Sequence, residues 1–442
     1  MIVEPDTKEF QIAKLVAQKL AAAGFRAMLV GGSVRDMLMG SVPHDFDLVT
    51  TATPEDLAAV FPGQTQLVGA SFGVSLVKLD GVSLEVATAR EERNYLDGRH
   101  PESVRYTRDL SVDVMRRDFT VNALLYDPVG KKVVDYVGGV ADLGKGVIRC
   151  VGDPKRRFSE DYLRMLRAVR FAGRFGFDLD SATRAALDEL APKCAQLSGE
   201  RVREEMSKIL CSPRAAESVR LMLDSGLLAA VLPEVAALAG VEQPPQFHPE
   251  GDVLTHTCLM LENMVLPNVN LAWSVLLHDV GKKACFGHDE TGHIRFFGHE
   301  AVGAELAEKI LDRLRISVAD RERIVAAVKN HMRFAAVREM KSSKILRMLA
   351  DDNFALELEL HRLDCLSCHG KMECFVYLLD QLRAMPDAKL PPPLVLGRDL
   401  VAAGVRPSPR FGKVLHEVYE RQLAGELTDR QSAFQAALKM LE

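Results

Sequence analysis

Leu29-Val30-Gly31-Gly32-Ser33-Val34-Arg35-Asp36, followed closely by His44-Asp45-Phe46-Asp47, is the stretch on which the reading of this chain turns. The apolar run Ala27 to Val30 predicts a buried strand, and Val34 to Met39 predicts a short helix behind the glycines. Paired glycines let the backbone approach a ligand closely, and a helix start aims N–H groups at an anion. Gly31, Gly32 and Ser33 therefore read as a phosphate-holding turn, with Arg35 adding a charged contact to a polyphosphate. Gly40 to Pro43 make a turn, and Phe46 to Val49 predict a second strand. Asp45 and Asp47 alternate along it, so their carboxylates share one face. Two carboxylates on one face, opposite a phosphate loop, suit two-metal phosphoryl transfer. Glu85, in Leu84-Glu85-Val86-Ala87-Thr88, is the candidate third carboxylate.

Outward from that stretch, Ile12, Leu15, Val16 and Leu20 keep helical spacing over 8–23, closed by Gly24. Further strands fit 65–69, 74–79, 82–88, 121–126 and 132–135, with turns at Asp80-Gly81 and Pro128-Val129-Gly130. From about 153 strand signals nearly vanish. Helical patterns occupy 158–175, 181–191, 200–211 and 214–226, and Pro244-Pro245 is a candidate linker. A second helical unit runs from 247 to 384, and Pro391-Pro392-Pro393 breaks the chain before a last helical stretch. The expected fold class is α+β: a mixed-sheet head over 1–145, then all-helical regions over 146–245, 246–384 and 385–442.

Composition excludes some classes and leaves others open. A net charge of -5 does not point to nucleic acid, so any RNA surface must come from local clusters of Arg and Lys. The N-terminal residues carry charges throughout and do not read as a secretory signal, and no run of about 18 apolar residues suggests a membrane span. The eight Cys form no framework, as expected of free thiols in a cytoplasmic protein.

The first motif, together with Arg116-Arg117-Asp118-Phe119-Thr120-Val121-Asn122-Ala123 and Glu160-Asp161-x-x-Arg164, resembles the class II tRNA nucleotidyltransferases and the related bacterial poly(A) polymerases over about 27–210. The resemblance implies a nucleotidyltransferase head in which Asp45 and Asp47 hold Mg²⁺ and, with Glu85, form the catalytic set. It places Arg117, Asp118 and Asn122 near the ribose, with Asp118 the partner of the 2′-hydroxyl, and has Glu160, Asp161 and Arg164 read the incoming base. Residue spacing supports the base reading, because positions 160, 161 and 164 share a helix face. A carboxylate accepts from an exocyclic amino group and Arg donates to a ring acceptor, a pattern that selects C and A. Lys155, Arg156, Arg157, Arg164, Arg167, Arg170 and Arg174 form the main basic cluster, and Arg167, Arg170 and Arg174 are candidate RNA-phosphate contacts. The stretch Arg90 to Arg108, containing Tyr95-Leu96-Asp97-Gly98-Arg99-His100-Pro101, resembles the family's specificity-switching loop. The implied reaction adds CCA to the 3′ end of tRNA from CTP and ATP. Alternatives are an A-adding enzyme or poly(A) polymerase, a protein-modifying uridylyltransferase, and a non-catalytic RNA-binding protein.

A second pattern is His256, then Leu276-Leu277-His278-Asp279-Val280-Gly281-Lys282, then His299, His331 and Asp364, which resembles the HD superfamily over about 247–370. The resemblance implies metal-dependent hydrolysis of phosphomonoesters or 2′,3′-cyclic phosphates. His256, His278, Asp279 and Asp364 are the expected ligands of one metal, Ni, Mn or Mg. His299 and His331 complete a second metal site or hold phosphate, and Lys282 contacts phosphate. Cys365-Leu366-Ser367-Cys368-His369 matches a haem-attachment string, but a helix following the HD aspartate is the better reading. In the tail, Arg406, Arg410 and Lys413 near a helix start either grip an RNA phosphate or belong to a capping helix. Oligomeric state is left open.

Overall fold

The computed structural model describes residues 2–69, 73–95, 101–246, 248–385 and 389–441. The centre of the expected specificity loop, residues 96–100, lies outside the described residues. The chain divides into two compact units, 1–236 and 237–442.

In the first unit α1 (Lys8–Ala22) leads into β1 (Ala27–Val30), α2 (Gly32–Leu38), β2 (Asp47–Thr50), α3 (Pro54–Val60), β3 (Thr65–Gly69), β4 (Val74–Leu79) and β5 (Val82–Thr88). β6 (Arg90–Tyr95) and β7 (Pro101–Tyr106) pair apart from the main sheet, and α4 (Leu110–Met115), β8 (Leu125–Asp127) and β9 (Lys132–Val134) follow. Seven strands form one sheet in the order β3-β4-β5-β2-β1-β8-β9. The β2–β5 pair is parallel and its other pairs are antiparallel.

Both sheet faces are covered, which is why β1 is apolar at every position. Leu29 and Leu48 turn to one face with Phe10, Val16 and Leu20 of α1, while Met28, Val30 and Val49 turn to the other with Leu110 and Val114 of α4. The Asp80-Gly81 turn is as expected: Leu79 pairs with Val82, and φ is +49° and +79° at the two turn residues, the combination a two-residue hairpin loop favours. The strand expected over 121–126 is not continuous. Thr120–Asn122 form a 3-10 turn, and β8 starts only at Leu125. Val121 and Asn122 are buried in that turn, so burial rather than strand pairing explains the apolar signal.

After α5 (Gly139–Lys145) and β10 (Val147–Ile148) the unit continues as helices: α6 (Pro154–Glu160), α7 (Leu163–Phe175), then, after β11 (Asp178–Leu179), α8 (Ser181–Leu190), α9 (Gly199–Leu210), α10 (Ala215–Asp224), α11 (Leu227–Val231) and α12 (Pro233–Ala236). The single helix expected over 158–175 is two. Asp161 is extended (φ -155°, ψ 107°) and separates α6 from α7. α7 buries Met165, Leu166, Val169 and Ala172 at helical spacing and stops at Gly176 in the left-handed conformation.

The second unit is helical: α13 (Val253–Glu262), α14 (Val269–Leu277), a small hairpin of β12 (Gly287–His288) and β13 (Ile294–Arg295), α15 (His299–Arg313), α16 (Val318–Asn330), α17 (Ser342–Leu349), α18 (Phe354–Ser367), α19 (Glu373–Ala384), α20 (Gly397–Ala402), α21 (Arg410–Leu423) and α22 (Arg430–Leu441). α14 is apolar on nearly all sides, burying Leu271, Ala272, Trp273, Val275, Leu276 and Leu277, as a central core helix must. The hairpin was not expected. Cys365-x-x-Cys368-His369 lies across the end of α18, in keeping with the helical reading of that string.

Gly281 shows how tightly the turn after α14 meets α15. A Cβ there would lie 2.2 Å from the His299 carbonyl oxygen and 2.6 Å from the Gly303 nitrogen. Both obstacles are backbone, so Gly281→Ala is expected to destabilise the unit by about 1–3 kcal/mol through overpacking. Gly287→Ala, with nothing within 4 Å, should stay within about 0.5 kcal/mol of wild type. Urea denaturation of the full chain distinguishes them; equal midpoints would refute the close-packing account.

Candidate functional site

In the head, β2 places Asp47 opposite Val30, the residue before the paired glycines, and beside β5, where Leu48 pairs with Val86 next to Glu85. Asp45 precedes the strand rather than lying on it, but the alternation holds: Phe46 is buried between exposed Asp45 and Asp47. Asp45, Asp47 and Glu85 line one cleft of about 400 Å³, which Glu9, His44 and Ser83 also line. Desolvation pushes the Asp47 carboxyl up to about 6; Glu85 and Asp45 add like charge and Arg117 opposes them. Carboxylates that repel one another in this way fit a bound divalent cation. Their oxygens are not as tightly gathered as the ligand groups of the second unit.

The glycine turn is as the sequence requires at Gly31, where φ is +76°. Ser33 is buried and donates to the Val30 carbonyl at 3.2 Å, so in this structure it braces the turn. Arg35 faces inward. It donates to Asp36 at 2.8 and 2.7 Å and to the Asn122 side-chain carbonyl, and its guanidinium sits 4.5 Å from the Phe175 ring centre. Both arginines flank the glycines: a Cβ on Gly31 would lie 3.7 Å from Arg117 Nη1, and one on Gly32 3.4 Å from Arg35 Nη2. Arg117 Nη2 bonds Asp113 at 3.1 Å, and the buried Arg117 Nε has no hydrogen-bond partner.

Asp118 accepts two hydrogen bonds from Arg167 at 2.8 and 2.6 Å. Burial alone would raise this carboxyl, but Arg167 more than offsets it and holds it below the ordinary carboxylate range. Asn122 donates to Asp118 at 3.4 Å, linking Arg35 to the same network. Glu160, Asp161 and Arg164 do not share one continuous helix face, because the chain is extended at Asp161. They are brought together by two ion pairs instead. Arg164 bonds Glu160 at 2.8 Å, and Arg201 of α9 bonds Asp161 at 2.8 Å. Arg201 was missed by sequence reasoning, since no local spacing connects it to Asp161. Of the arginines expected to hold RNA, Arg167 is committed to Asp118 and Arg170 to Glu205 at 2.6 Å, while Arg174 is half-exposed.

In the second unit the separate elements converge. His256 comes from α13, His278 and Asp279 from the end of α14, His299 from the start of α15, His331 from the end of α16 and Asp364 from α18. His256, His278 and Asp279 form one group able to hold a metal, and Asp279, His299 and His331 another. His278, His299 and His331 each place Nδ1 against the carbonyl three residues back, at 2.9, 2.8 and 2.6 Å. That bond fixes the tautomer and turns Nε2 inward. The Nε2 atoms of His299 and His331 then face each other at 3.2 Å, an arrangement a cation relieves. Burial pushes His331 down to about 4, leaving a neutral imidazole at pH 7.

His256 lies between Asp364 (3.1 Å) and Glu250 (2.8 Å). Burial works to lower it, but the two carboxylates raise it to about 9. Neither ring nitrogen nor His278 Nε2 has an aligned hydrogen-bond partner. His256, His278 and Asp279 nevertheless offer ligand atoms within 4.8 Å of one another, a donor set that fits a divalent metal. Lys282 is buried, bonding Asp279 at 2.8 Å and Gln243 at 2.7 Å. Glu250, His248 and Gln243 were missed in the sequence; they lie in an irregular segment without motif spacing. In the tail, Arg410 opens α21 and donates to the Met440 carbonyl at 3.2 Å.

Residues 27–149 match the poly A polymerase head domain, 176–238 match the region described as "Probable RNA and SrmB- binding site of polymerase A", and 253–355 match the HD domain. The chain is 43% identical over 216 residues to a CCA-adding enzyme of Leuconostoc mesenteroides, a match covering 49% of this chain and 53% of that protein. It thus spans about half the length of that curated relative. A solved CCA-adding enzyme of Bacillus stearothermophilus in complex with CTP is similar over 98% of both chains, with a TM-score of 0.73 and 26% identity. A Thermotoga maritima CCA-adding enzyme complexed with tRNA shares the fold at a TM-score of 0.65 and 20% identity. Among the described residues no helix is long and apolar enough to cross a membrane.

The raised Asp47 carboxyl has a measurable consequence. A carboxylate held above its unfolded value contributes stability below about 4 that is lost as pH rises through about 6. In EDTA, wild type should therefore lose thermal stability relative to Asp47→Asn between pH 4 and 6, and the variant should be at least as stable at pH 7. Scanning fluorimetry across that window checks this; a wild type that gains on the variant as pH rises would contradict the crowding at Asp47.

Proposed function

We propose that the chain belongs with the class II tRNA nucleotidyltransferases and bacterial poly(A) polymerases, with an HD domain following the helical neck in sequence, and that it completes the CCA end of tRNA from CTP and ATP without a nucleic-acid template. The observation that carries this reading is the convergence of Asp45, Asp47 and Glu85 on one cleft beside the glycine turn. Asp45 and Asp47 hold Mg²⁺, which when bound supplies charge stabilisation at the triphosphate and lowers the pKa of the attacking hydroxyl. The 3′-hydroxyl oxygen of tRNA bonds to the α-phosphorus, the bond to the bridging oxygen breaks, and pyrophosphate leaves. Arg117, whose Nη1 lies beside the Gly31 turn, is placed to take triphosphate oxygens. Arg35 braces the turn from below through Asp36 and Asn122.

Asp118 meets the ribose while Arg167 orients it. Asp161 and Arg164 read the base edge, each held by an ion pair of its own, Arg201 and Glu160. Acceptor and donor side by side suit the amino group and ring acceptor shared by C and A. Arg174, half-exposed, is the best placed of the three candidate arginines to meet RNA phosphate. These roles, the boundaries of head (1–145), neck (146–245), HD (246–384) and tail (385–442), and a cytoplasmic location are parts of the same proposal.

A second activity is favoured by the paired ligand groups around Asp279. We infer a phosphohydrolase there that takes Ni, Mn or Mg on His256, His278, Asp279 and Asp364, with His299 and His331 completing a second position. Water adds to phosphorus, the ester bond breaks, and the products are an alcohol and phosphate. Glu250 orients His256, and Lys282 holds Asp279.

With Mg²⁺ and a labelled tRNA ending at the discriminator base, we expect two additions with CTP and a third only when ATP is also present. Asp45→Ala should reduce addition by about 10³-fold or more, since metal charge stabilisation is worth several kcal/mol. Addition of A regardless of CTP would instead identify an A-adding enzyme or poly(A) polymerase, and binding without addition would identify an RNA-binding protein. Independently, His278→Ala should abolish phosphate release from RNA 3′-phosphates while leaving nucleotide addition intact. Phosphate release that survives the substitution would exclude the HD site as its source.

A further inference from the structure

The cavity of about 380 Å³ that contains Asp279, His299, His331 and Asp364 has one apolar wall, formed by Phe296, Phe297 and Met332. Its size is within the range of small-ligand sites. The two phenylalanines are used differently. Phe296 is anchored, with its ring edge-on to Phe286 at 5.9 Å and 5.3 Å from the Lys282 ammonium. Phe297 is 80% exposed, and no ring or cation contact is found for it among the described residues. Met332, the residue after His331, is 48% exposed. Large apolar side chains left open at the mouth of a cavity with buried carboxylates and imidazoles mark a surface that a ligand covers.

The position of Phe297 is held on both sides. The β12–β13 hairpin before it is braced by Asp289, which accepts from Arg295 at 2.9 Å, from Thr291 and from the His293 backbone. Gly298 after it has φ +71° and leads straight into His299. Phe297 and Met332 are thus tied in sequence to the two histidines that face each other, one on each. A phosphate held at the Asp279 group brings whatever the phosphate is attached to against these two side chains. A nucleobase would gain a stacking face, whatever its sequence identity.

We propose that Phe297 is a base-stacking platform that makes the HD cavity selective for a terminal nucleotide over a base-free phosphoester, a step that rests on the phosphohydrolase reading above. The test uses the full chain loaded with Mn²⁺, and compares 3′-AMP with glycerol 2-phosphate in wild type, Phe297→Ala and Phe297→Trp. Phe297→Ala should raise KM for 3′-AMP roughly tenfold, the scale of one lost base stack, with little change in kcat. Glycerol 2-phosphate kinetics should be unchanged, and Phe297→Trp should restore 3′-AMP. Equal loss on both substrates, or no loss on either, would overturn the proposal. Calorimetric titration of 3′-AMP into the same proteins separates the two layers. If wild type hydrolyses neither ester, the phosphohydrolase reading fails; weaker 3′-AMP binding by Phe297→Ala would still support the platform, and equal binding would refute it.

Discussion

β2 is held between β1, antiparallel, and β5, parallel, and the head cleft depends on that placement. The register sets Asp47 opposite the last residue before the glycine turn and puts Glu85 on the neighbouring strand. A slip of one residue would turn Asp47 into the core and Leu48 into the cleft. Burial on both faces of β1 and β2 makes such a slip costly, because Leu48 and Val49 are each fully buried on opposite sides. The apolar core therefore does more than stabilise the head: it holds three like-charged carboxylates together, and the Asp47 carboxyl is raised first by desolvation and then by the charges of Glu85 and Asp45.

The HD cavity meets the same difficulty by other means. Its ligands come from five helices, so no strand ladder can set their spacing. Imidazole orientation is fixed locally, by Nδ1 bonds to carbonyls at the ends or starts of α14, α15 and α16. Helix ends supply unpaired carbonyls, and histidine at such an end uses one of them while turning Nε2 inward. The Gly281–Gly303 contact then lets the α14 turn and α15 approach closely enough for Asp279 to meet both His299 and His331.

The basic residues of the neck show why charge counted along a sequence is a weak guide to an RNA surface. Arg167, Arg170 and Arg164 are largely buried and each is matched by a carboxylate: Asp118, Glu205 and Glu160. A buried guanidinium without such a partner would be expensive. These pairs give Asp118, Glu160 and Arg164 defined positions in the absence of any ligand, which would reduce the ordering cost of binding one. The sequence reading that put residues 160, 161 and 164 on one helix face missed this, because the helix breaks at Asp161 and distant Arg201 supplies what continuity would have.

Periodicity and turn chemistry along the chain were enough to determine the mixed head followed by helices, the Asp80-Gly81 hairpin, and the shared face of Asp45 and Asp47; His278 and Asp279 stood out through a motif resemblance. These are local or short-range properties: alternation, positive φ at a turn, a carboxylate beside a glycine loop. Only the tertiary structure decided that Arg35 lies inward, that Arg117 joins it beside the glycine turn, that Arg201 partners Asp161, that Glu250 pairs with His256 and Gln243 with Lys282, and that Phe297 stands open at the cavity mouth. Each of those outcomes depends on which distant segment fills the space beside a residue. That is settled by packing and by the cost of leaving buried charge unpaired, and neither can be read from neighbours in sequence.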